Sequence, residues 1–179
     1  MLFRSLGYYS LMPNLENDLP EVFRAIRQQG CKTALDAAGT GGTMHPLDRI
    51  LPEVDVYVPS YDEAVHQTGL EDPWRIIDVY RQCGAPGIVG VKLGKKGVLL
   101  SPASKQYIEI PISTPPGDVV DTTGAGDSFF AGLLGGLIKG LPVEQAGRIG
   151  TAAAACCVTT LGGSGGGRDW ETTKKIAGV

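Results

Sequence analysis

The stretch Val119-Val-Asp-Thr-Thr-Gly-Ala-Gly-Asp-Ser-Phe-Phe130 joins two short apolar segments through a glycine-rich turn. Its apolar start predicts a short strand over Val119–Asp121, and the residues that follow predict an apolar helix over Ala125–Lys139. Glycines between a strand and a helix allow several backbone N–H groups to point at one place, where the helix dipole adds positive potential. The turn therefore predicts an anion site, suited to a phosphate group or to developing negative charge.

The carboxylate of Asp127 lies at this same turn and has two interpretations. It can cap the first turn of the helix, or it can take the proton from a hydroxyl that attacks a phosphoryl group. An isolated Gly-x-Gly-Asp favours the cap, so the choice depends on the sequence around it.

Apolar periodicities on the N-terminal side of this stretch alternate between those of strands and helices. Compact loops separate the segments, which is typical of an α/β fold with an open, doubly wound, largely parallel and Rossmann-like sheet. We expect a single α/β domain over residues 1–179. The predicted strands are Lys32–Asp36, Val54–Val58, Gly87–Leu93 and a hairpin of Gly97–Ser101 with Gln106–Ile110; the other predicted helices are Leu15–Gln29, Pro46–Leu51, Asp62–Thr68, Pro73–Cys83 and Val143–Val158.

Composition excludes several classes of protein. The 179 residues carry a net charge of −3 with no basic stripe, which predicts no binding to nucleic acid or to a membrane surface. No segment has the roughly 18 continuous apolar residues of a membrane span, and residues 1–9 lack the pattern of a signal peptide. The four cysteines form no CxxC pair, which favours free thiols in the cytoplasm.

The whole string Asp121-Thr-Thr-Gly-Ala-Gly-Asp-Ser-Phe129 resembles the C-terminal signature of the ribokinase-like (PfkB) carbohydrate kinase family. The resemblance implies an ATP-dependent phosphotransferase that acts on a sugar or a sugar-like alcohol. It implies that Asp127 is the general base and that Gly124, Ala125 and Gly126 form the anion hole, with Thr123 beside the nucleotide.

Two upstream segments resemble further elements of the same family. The turn containing Lys92, Gly94 and Gly97 resembles its Gly-x-x-Gly nucleotide turn. The segment from Ser60 to Glu63 resembles its Asn-x-x-Glu element, which helps to organise Mg²⁺ and phosphates, with Ser in place of the usual Asn. The alternative is that Asp62 and Glu63 only open a helix.

A third segment, residues 151–163, resembles the small-residue helix and glycine turn that form a wall of the adenine pocket in this family. In many members this region binds a monovalent cation. Close packing of an all-small helix is the alternative interpretation, and Gly166 in place of a frequent Ser leaves K⁺ activation open. The resemblance implies a cation set of Asp121, Thr123, Cys157, Thr160 and Gly162.

The resemblance covers only the C-terminal portion of the family pattern. The sugar-binding Gly-Gly element and the strands of the β lid are not found before Leu15. Half of the family's sheet would leave an edge strand exposed. An exposed edge strand can pair with another chain, which predicts a homo-oligomer. A shortened gene and a domain that pairs with a second copy both remain open, as does a catalytically silent nucleotide-binding fragment.

Two other nucleotide motifs fit the sequence poorly. The Gly39–Thr43 loop has the composition of a phosphate cradle but lacks the Gly-Lys-Ser/Thr of a Walker A loop. A dinucleotide-binding oxidoreductase is also poorly supported, because no Gly-x-Gly-x-x-Gly follows a strand with an acidic residue about twenty positions later.

Overall fold

The computed structural model describes residues 2–179; Met1, the first residue of the expected domain, lies outside them. The residues form two compact units. The first unit comprises the described residues up to Gly94 together with Leu99–Ile108, and the second comprises Lys95–Val98 together with Glu109–Val179. The single-domain organisation stays a prediction.

Six strands and seven α-helices make up the regular structure of the described residues. Short 3-10 helices cover Tyr9–Leu11, Leu51–Glu53 and Gly94–Lys96. The strands are β1 (Phe3–Leu6), β2 (Lys32–Leu35), β3 (Val56–Tyr57), β4 (Ile88–Lys92), β5 (Val98–Ser101) and β6 (Ile108–Ile110). The helices are α1 (Leu19–Gln28), α2 (Met44–Ile50), α3 (Tyr61–Thr68), α4 (Pro73–Gln82), α5 (Ala125–Ile138), α6 (Val143–Cys157) and α7 (Trp170–Ala177).

The strands form one sheet in the order β1-β2-β3-β4-β5-β6. The first four strands pair in parallel, with helices in the connections between them, as expected for right-handed α/β crossovers. The carboxyl ends of β2, β3 and β4 consequently meet at one edge, which is where α/β sheets bind ligands. The sheet and its helices confirm the predicted α/β fold class.

The core of the first unit lies between the parallel strands and their helices. Leu35 of β2, Val89 of β4 and Ile77 of α4 are buried in one apolar cluster. Three tyrosines, Tyr9, Tyr57 and Tyr80, are as fully buried as the leucines of this cluster, with exposures of 1%, 1% and 0%. Buried hydroxyls need hydrogen-bond partners, so a polar network must exist inside this core.

In the second unit, α5 and α6 pack closely through small residues. A Cβ placed on Gly132 would lie 2.9 Å from the Cα of Gly150, and one on Gly136 would lie 2.8 Å from the Cα of Ala146. The Ala- and Gly-rich composition of α6 therefore does serve close helix packing.

The predicted strand over Val119–Asp121 is wrong. The amides of Val120 and Asp121 both donate to the carbonyl of Val158, at 2.8 and 3.3 Å. The backbone hydrogen bonds of this segment therefore go to the end of α6 instead of to a neighbouring strand. The side chains of Val119 and Val120 are 60% and 55% exposed, although the sequence pattern alone suggests burial.

Other element boundaries differ by a few residues, and some elements were not predicted. The first helix begins at Leu19 instead of Leu15, because residues 15–18 form turns before Pro20 enters the first helical turn. Strand β1 and helix α7 were missed. For α7 a signal was present, since Asp169 caps its start by accepting the Thr172 amide and Gly178 ends it at φ 66°.

Candidate functional site

The carboxyl ends of β2, β3 and β4 bring three polar residues of the first unit together. Ser60 pairs with Lys92 in an isolated parallel bridge just beyond β3. The ammonium of Lys92 lies 3.2 Å from Oδ1 of Asp36, the residue that follows β2, and both side chains are largely buried. Sequence reasoning selected Ser60 and Lys92 but missed Asp36, although a carboxylate directly after a parallel strand was a usable signal.

Glu63 lies in the first turn of α3 and forms a capping box with Ser60. The Glu63 amide donates to Ser60 Oγ at 3.3 Å, and Glu63 Oε2 accepts the Ser60 amide at 2.7 Å. Ser60, which stands in place of the family's Asn, is therefore an effective helix cap. Glu63 also helps to open the helix, as the alternative interpretation had it, through its Oε2 atom. A carboxylate accepts several hydrogen bonds or metal-bound waters, so this role does not prevent a second one.

Two glycines form the turn that follows β4. Gly94 has φ 57° and belongs to the first unit. Gly97 belongs to the second unit and has φ 95°, and a Cβ there would collide with the carbonyl of Ile110. Both positions therefore need glycine for backbone geometry, which neither requires nor excludes a nucleotide.

The glycine turn before α5 has the geometry of a helix N-terminus that presents amides. Gly124 is the N-cap with φ 74°, and its carbonyl accepts the Ser128 amide at 2.9 Å. The Ala125 amide donates to the Thr122 carbonyl at 3.2 Å within the turn. Gly126 follows as the second residue of α5, a position whose amide has no acceptor inside a helix, and Asp127 is the third.

Asp127 is exposed in the first turn of α5. Its predicted partners Gly124, Ala125 and Gly126 are its immediate neighbours in this turn, so the four residues of the expected catalytic set lie at one helix end. A carboxylate at this position is also favoured by the helix dipole.

The loop before this turn is held by Asp121. Its Oδ1 accepts the Thr123 amide and its Oδ2 accepts the Gly162 amide, both at 2.9 Å. Backbone hydrogen bonds from Thr123 and Gly162 lower the pKa of the Asp121 carboxyl below its ordinary value, so it is charged at neutral pH.

Cys157 lies between two carbonyl oxygens of the same region. Its thiol is 3.4 Å from the Thr123 carbonyl and 3.3 Å from that of Gly163. Thr160, whose amide donates to the Cys157 carbonyl at 3.4 Å, has a buried hydroxyl with no hydrogen-bond partner among the residues that the structure describes. The structure thus brings together the predicted cation set of Asp121, Thr123, Cys157, Thr160 and Gly162, and it adds the carbonyl of Gly163, which the sequence did not single out.

Residues 2–179 contain no cluster of three or more His, Cys, Asp or Glu side chains that could hold a metal ion. They also contain no helix that is long and apolar enough to cross a membrane.

Comparison with known proteins identifies relatives of this sequence. Residues 6–169 match the model of the pfkB family of carbohydrate kinases. An uncharacterized sugar kinase of Archaeoglobus fulgidus is 36% identical over 104 residues, which cover 58% of this chain and 40% of that protein. Ribokinase of Arabidopsis thaliana is 32% identical over 149 residues, or 78% of this chain and 38% of that one.

Solved structures of the same family share the fold. Arabidopsis ribokinase complexed with ribose and ATP has a TM-score of 0.78 at 28% identity and covers 92% of this chain and 53% of its own. The nucleoside kinase of Methanocaldococcus jannaschii has a TM-score of 0.72 at 26% identity, with 83% and 48% covered. The chain thus spans about half of these structures and less than half of the two curated relatives above. With the family model matched over residues 6–169, this chain belongs to the pfkB family of carbohydrate kinases.

Proposed function

We propose that this chain carries the nucleotide-binding and catalytic elements of an ATP-dependent phosphotransferase whose acceptor is a sugar or a sugar-like alcohol. The observation that carries the proposal is the N-terminus of α5, where Gly124 caps the helix at φ 74° and Asp127 occupies its first turn. Family membership supports the reaction class, and the Arabidopsis relative was solved with ribose and ATP.

In this proposal Asp127 accepts the proton of the acceptor hydroxyl as the hydroxyl oxygen attacks the terminal phosphorus of ATP, and the bond from that phosphorus to the leaving ADP breaks. A general base of this kind contributes about 10²–10⁴-fold to the rate. The amides of Gly124, Ala125 and Gly126 stabilise the charge on the transferring phosphoryl group. The Ala125 amide already donates to the Thr122 carbonyl within the turn. The Gly126 amide is therefore better placed than the Ala125 amide to contact the phosphoryl group.

The polar edge of the first unit supplies charges for the phosphates and for Mg²⁺. Bound Mg²⁺ would neutralise phosphate charge, and the carboxylate of Glu63 has the oxygen chemistry that Mg²⁺ prefers, directly or through water. The ammonium of Lys92, held 3.2 Å from Asp36, offers positive charge to a phosphate. Ser60, Gly94, Gly97 and Thr123 complete the proposed contacts with the nucleotide.

The region around Asp121 has oxygen atoms that suit K⁺ as ligands. A charged carboxylate, the carbonyls of Thr123 and Gly163, and a buried hydroxyl without a partner are oxygen ligands for a hard cation. The Cys157 thiol is a poor ligand for K⁺, and its present role is to donate to the two carbonyls. We therefore propose K⁺ binding through oxygens, with Thr160 as the side chain that would gain a partner.

A second candidate function is a nucleotide-binding chain without catalysis. It would use the same amides at the start of α5 to bind phosphate without transferring it. The presence of Asp127 in the first turn of α5 favours the kinase instead. We also propose a homo-oligomer located in the cytoplasm, which the edge strand β1 and the four free cysteines support.

The proposal is tested by measuring ATP consumption with Mg²⁺ across a panel of sugars, sugar acids and nucleosides. Turnover on one class of acceptor is the expected result, and ³¹P spectroscopy should then show a phosphate ester of that acceptor. Binding of ATP without turnover on any acceptor would support the silent nucleotide-binding chain. Absence of ATP binding would contradict both.

A further inference from the structure

The core of the first unit contains a polar network centred on Gln67. This side chain is only 6% exposed and lies on α3, one helical turn after Glu63. Its amide nitrogen donates to the Gly41 carbonyl at 2.5 Å and to the Tyr57 hydroxyl at 2.7 Å. Its amide oxygen accepts from the Tyr80 hydroxyl at 2.7 Å. A buried amide with three partners is costly to disrupt, so the network fixes the position of Gln67.

The network also fixes the loop of residues 39–43. The Gly41 carbonyl accepts a second hydrogen bond, from the Tyr9 hydroxyl at 2.9 Å. The loop is held at its start as well, where Ser10 Oγ donates to the Ala38 carbonyl at 2.6 Å. Gly41 and Gly42 have φ 83° and 72°, and because glycine adopts many backbone conformations readily, the external anchors are what hold the loop in this one.

The anchored loop lies directly against Glu63. A Cβ on Gly41 would lie 2.6 Å from the Cβ of Glu63, 3.0 Å from its Cα and 2.9 Å from Gln67 Nε2. The backbone of Gly41 therefore occupies the space into which the stem of the Glu63 side chain could otherwise turn. The carboxylate is left directed at the Ser60 amide, 2.7 Å from Oε2.

The three tyrosine hydroxyls of the network stay neutral. Burial raises the pKa of Tyr9, Tyr57 and Tyr80 well above the ordinary value. For Tyr9 and Tyr80 the nearby charge of Glu63 is a smaller cause that also raises the pKa. The rings of Tyr57 and Tyr80 meet edge to face, with centroids 5.3 Å apart, which restricts both hydroxyls further.

We infer that Gln67 is a positioning residue for the metal-organising carboxylate of Glu63: it holds the Gly41 loop over the first turn of α3 and so restricts the Glu63 side chain. The inference rests on the proposed function, because it deepens the role that Glu63 has there. Gln67 itself touches neither metal nor substrate in this account. Its effect passes through Gly41 and the helix.

The test compares Gln67→Leu with Tyr61→Phe in the full chain. The first substitution keeps the size of the side chain and removes all three hydrogen bonds. The second removes a hydroxyl of the same helix that donates to the Glu71 carbonyl at 2.9 Å and lies outside the network. Tyr80→Phe is a milder third variant, because it removes only the donor to the Gln67 oxygen.

Amide hydrogen exchange reports the positioning without any need for activity. In Gln67→Leu we expect exchange at the Gly41 and Ser60 amides to accelerate about tenfold or more relative to the β4 amides, since local opening no longer breaks the network. Tyr80→Phe should give a smaller change at the same two amides, and Tyr61→Phe none. If exchange at the β4 amides accelerates by the same factor, Gln67 only stabilises the fold. If the exchange rate of the Ser60 amide is unchanged, Gln67 holds only the loop. Either result overturns the inference.

A second measurement tests the link to the metal. Water proton relaxation with Mn²⁺ and ATP gives the apparent affinity of the chain for the metal–nucleotide complex, which should fall by a similar factor in Gln67→Leu and be unchanged in Tyr61→Phe. An unchanged affinity beside accelerated exchange would overturn the inference. No relaxation enhancement with the unsubstituted chain would instead contradict the proposed function, while the exchange result would still decide whether Gln67 positions Glu63.

Discussion

The backbone of Gly124 lies against that of Gly163, so that a Cβ on Gly124 would fall 2.5 Å from the Cα of Gly163. Gly124 also has φ 74°, a backbone conformation that residues with a Cβ atom rarely adopt. These two constraints fix the turn before α5 against the glycine-rich loop that follows α6. The low-complexity segment 162–167 is therefore part of the proposed site's framework, and Gly166 within it is buried against the carbonyl of Cys156.

Gly124→Ala should destabilise the protein through both strain and collision. Gly140 is a matched control, since it has φ 80° but open space where a Cβ would lie. We expect Gly140→Ala to lower the free energy of unfolding by about 1 kcal/mol and Gly124→Ala by about 2–4 kcal/mol, because the second also overpacks the turn. Urea unfolding measures both. Equal losses would show that the contact with Gly163 is not tight.

Asp55→Asn should change how stability depends on pH. Burial raises the pKa of the Asp55 carboxyl, but hydrogen bonds from Lys32 and Thr33 and the charges of Lys32 and Arg27 outweigh burial and lower it overall. A lowered folded-state pKa stabilises the protein above the unfolded pKa of about 3.9, and this stability is lost as pH falls through the folded value.

We therefore expect Asp55→Asn to cost about 1–3 kcal/mol near pH 7, with a difference from the unsubstituted chain that shrinks below about pH 4. Unfolding by urea at several pH values measures this. Glu144→Gln is the control, since it removes a carboxylate of an exposed pair with Arg148 and should cost about 0–1 kcal/mol. A difference that persists unchanged at low pH would contradict the assigned pKa direction.

Much of the fold and part of the site could be predicted from the sequence, because they depend on local patterns. Ser60 directly precedes helix α3 and Glu63 lies three residues later, and the structure forms the capping box that this spacing indicates. The strand at Val119 was mispredicted, because its partner is the distant carbonyl of Val158. The pairing of Asp36 with Lys92 joins residues 56 positions apart, and Gln67 bonds to residues 10 to 26 positions away, so no local pattern indicates them.

Thr160→Val tests the proposed K⁺ site. The Thr160 hydroxyl is buried without a partner among residues 2–179, so its removal should leave stability in K⁺-free buffer unchanged or higher. The unsubstituted chain should gain thermal stability as K⁺ is added, by mass action, and Thr160→Val should lose most of that gain. Thr159→Val is the control, because its hydroxyl already donates to the Cys156 carbonyl. An equal K⁺ response in all three chains would exclude Thr160 as a ligand.

Ser5→Pro tests self-association through β1, which stands at one end of the sheet. The carbonyls of Leu2 and Leu6 accept from Lys32 and Asp36, so by strand alternation the Ser5 amide points away from β2. Proline there removes a donor from the open edge without breaking the bonds to β2. Sedimentation should show a shift toward monomer for Ser5→Pro and no shift for Ser5→Ala. An unchanged distribution would place any self-association elsewhere.

The central claim is that the carboxylate of Asp127 is the general base of a phosphoryl transfer. The decisive measurement is ATP turnover on the best acceptor by the unsubstituted chain and by Asp127→Asn, with Asp118→Asn as an exposed acidic control and ATP affinity measured in parallel. We predict that Asp127→Asn lowers turnover by about 10²–10⁴-fold and leaves ATP affinity unchanged, while Asp118→Asn retains both. Turnover that survives in Asp127→Asn would contradict the account.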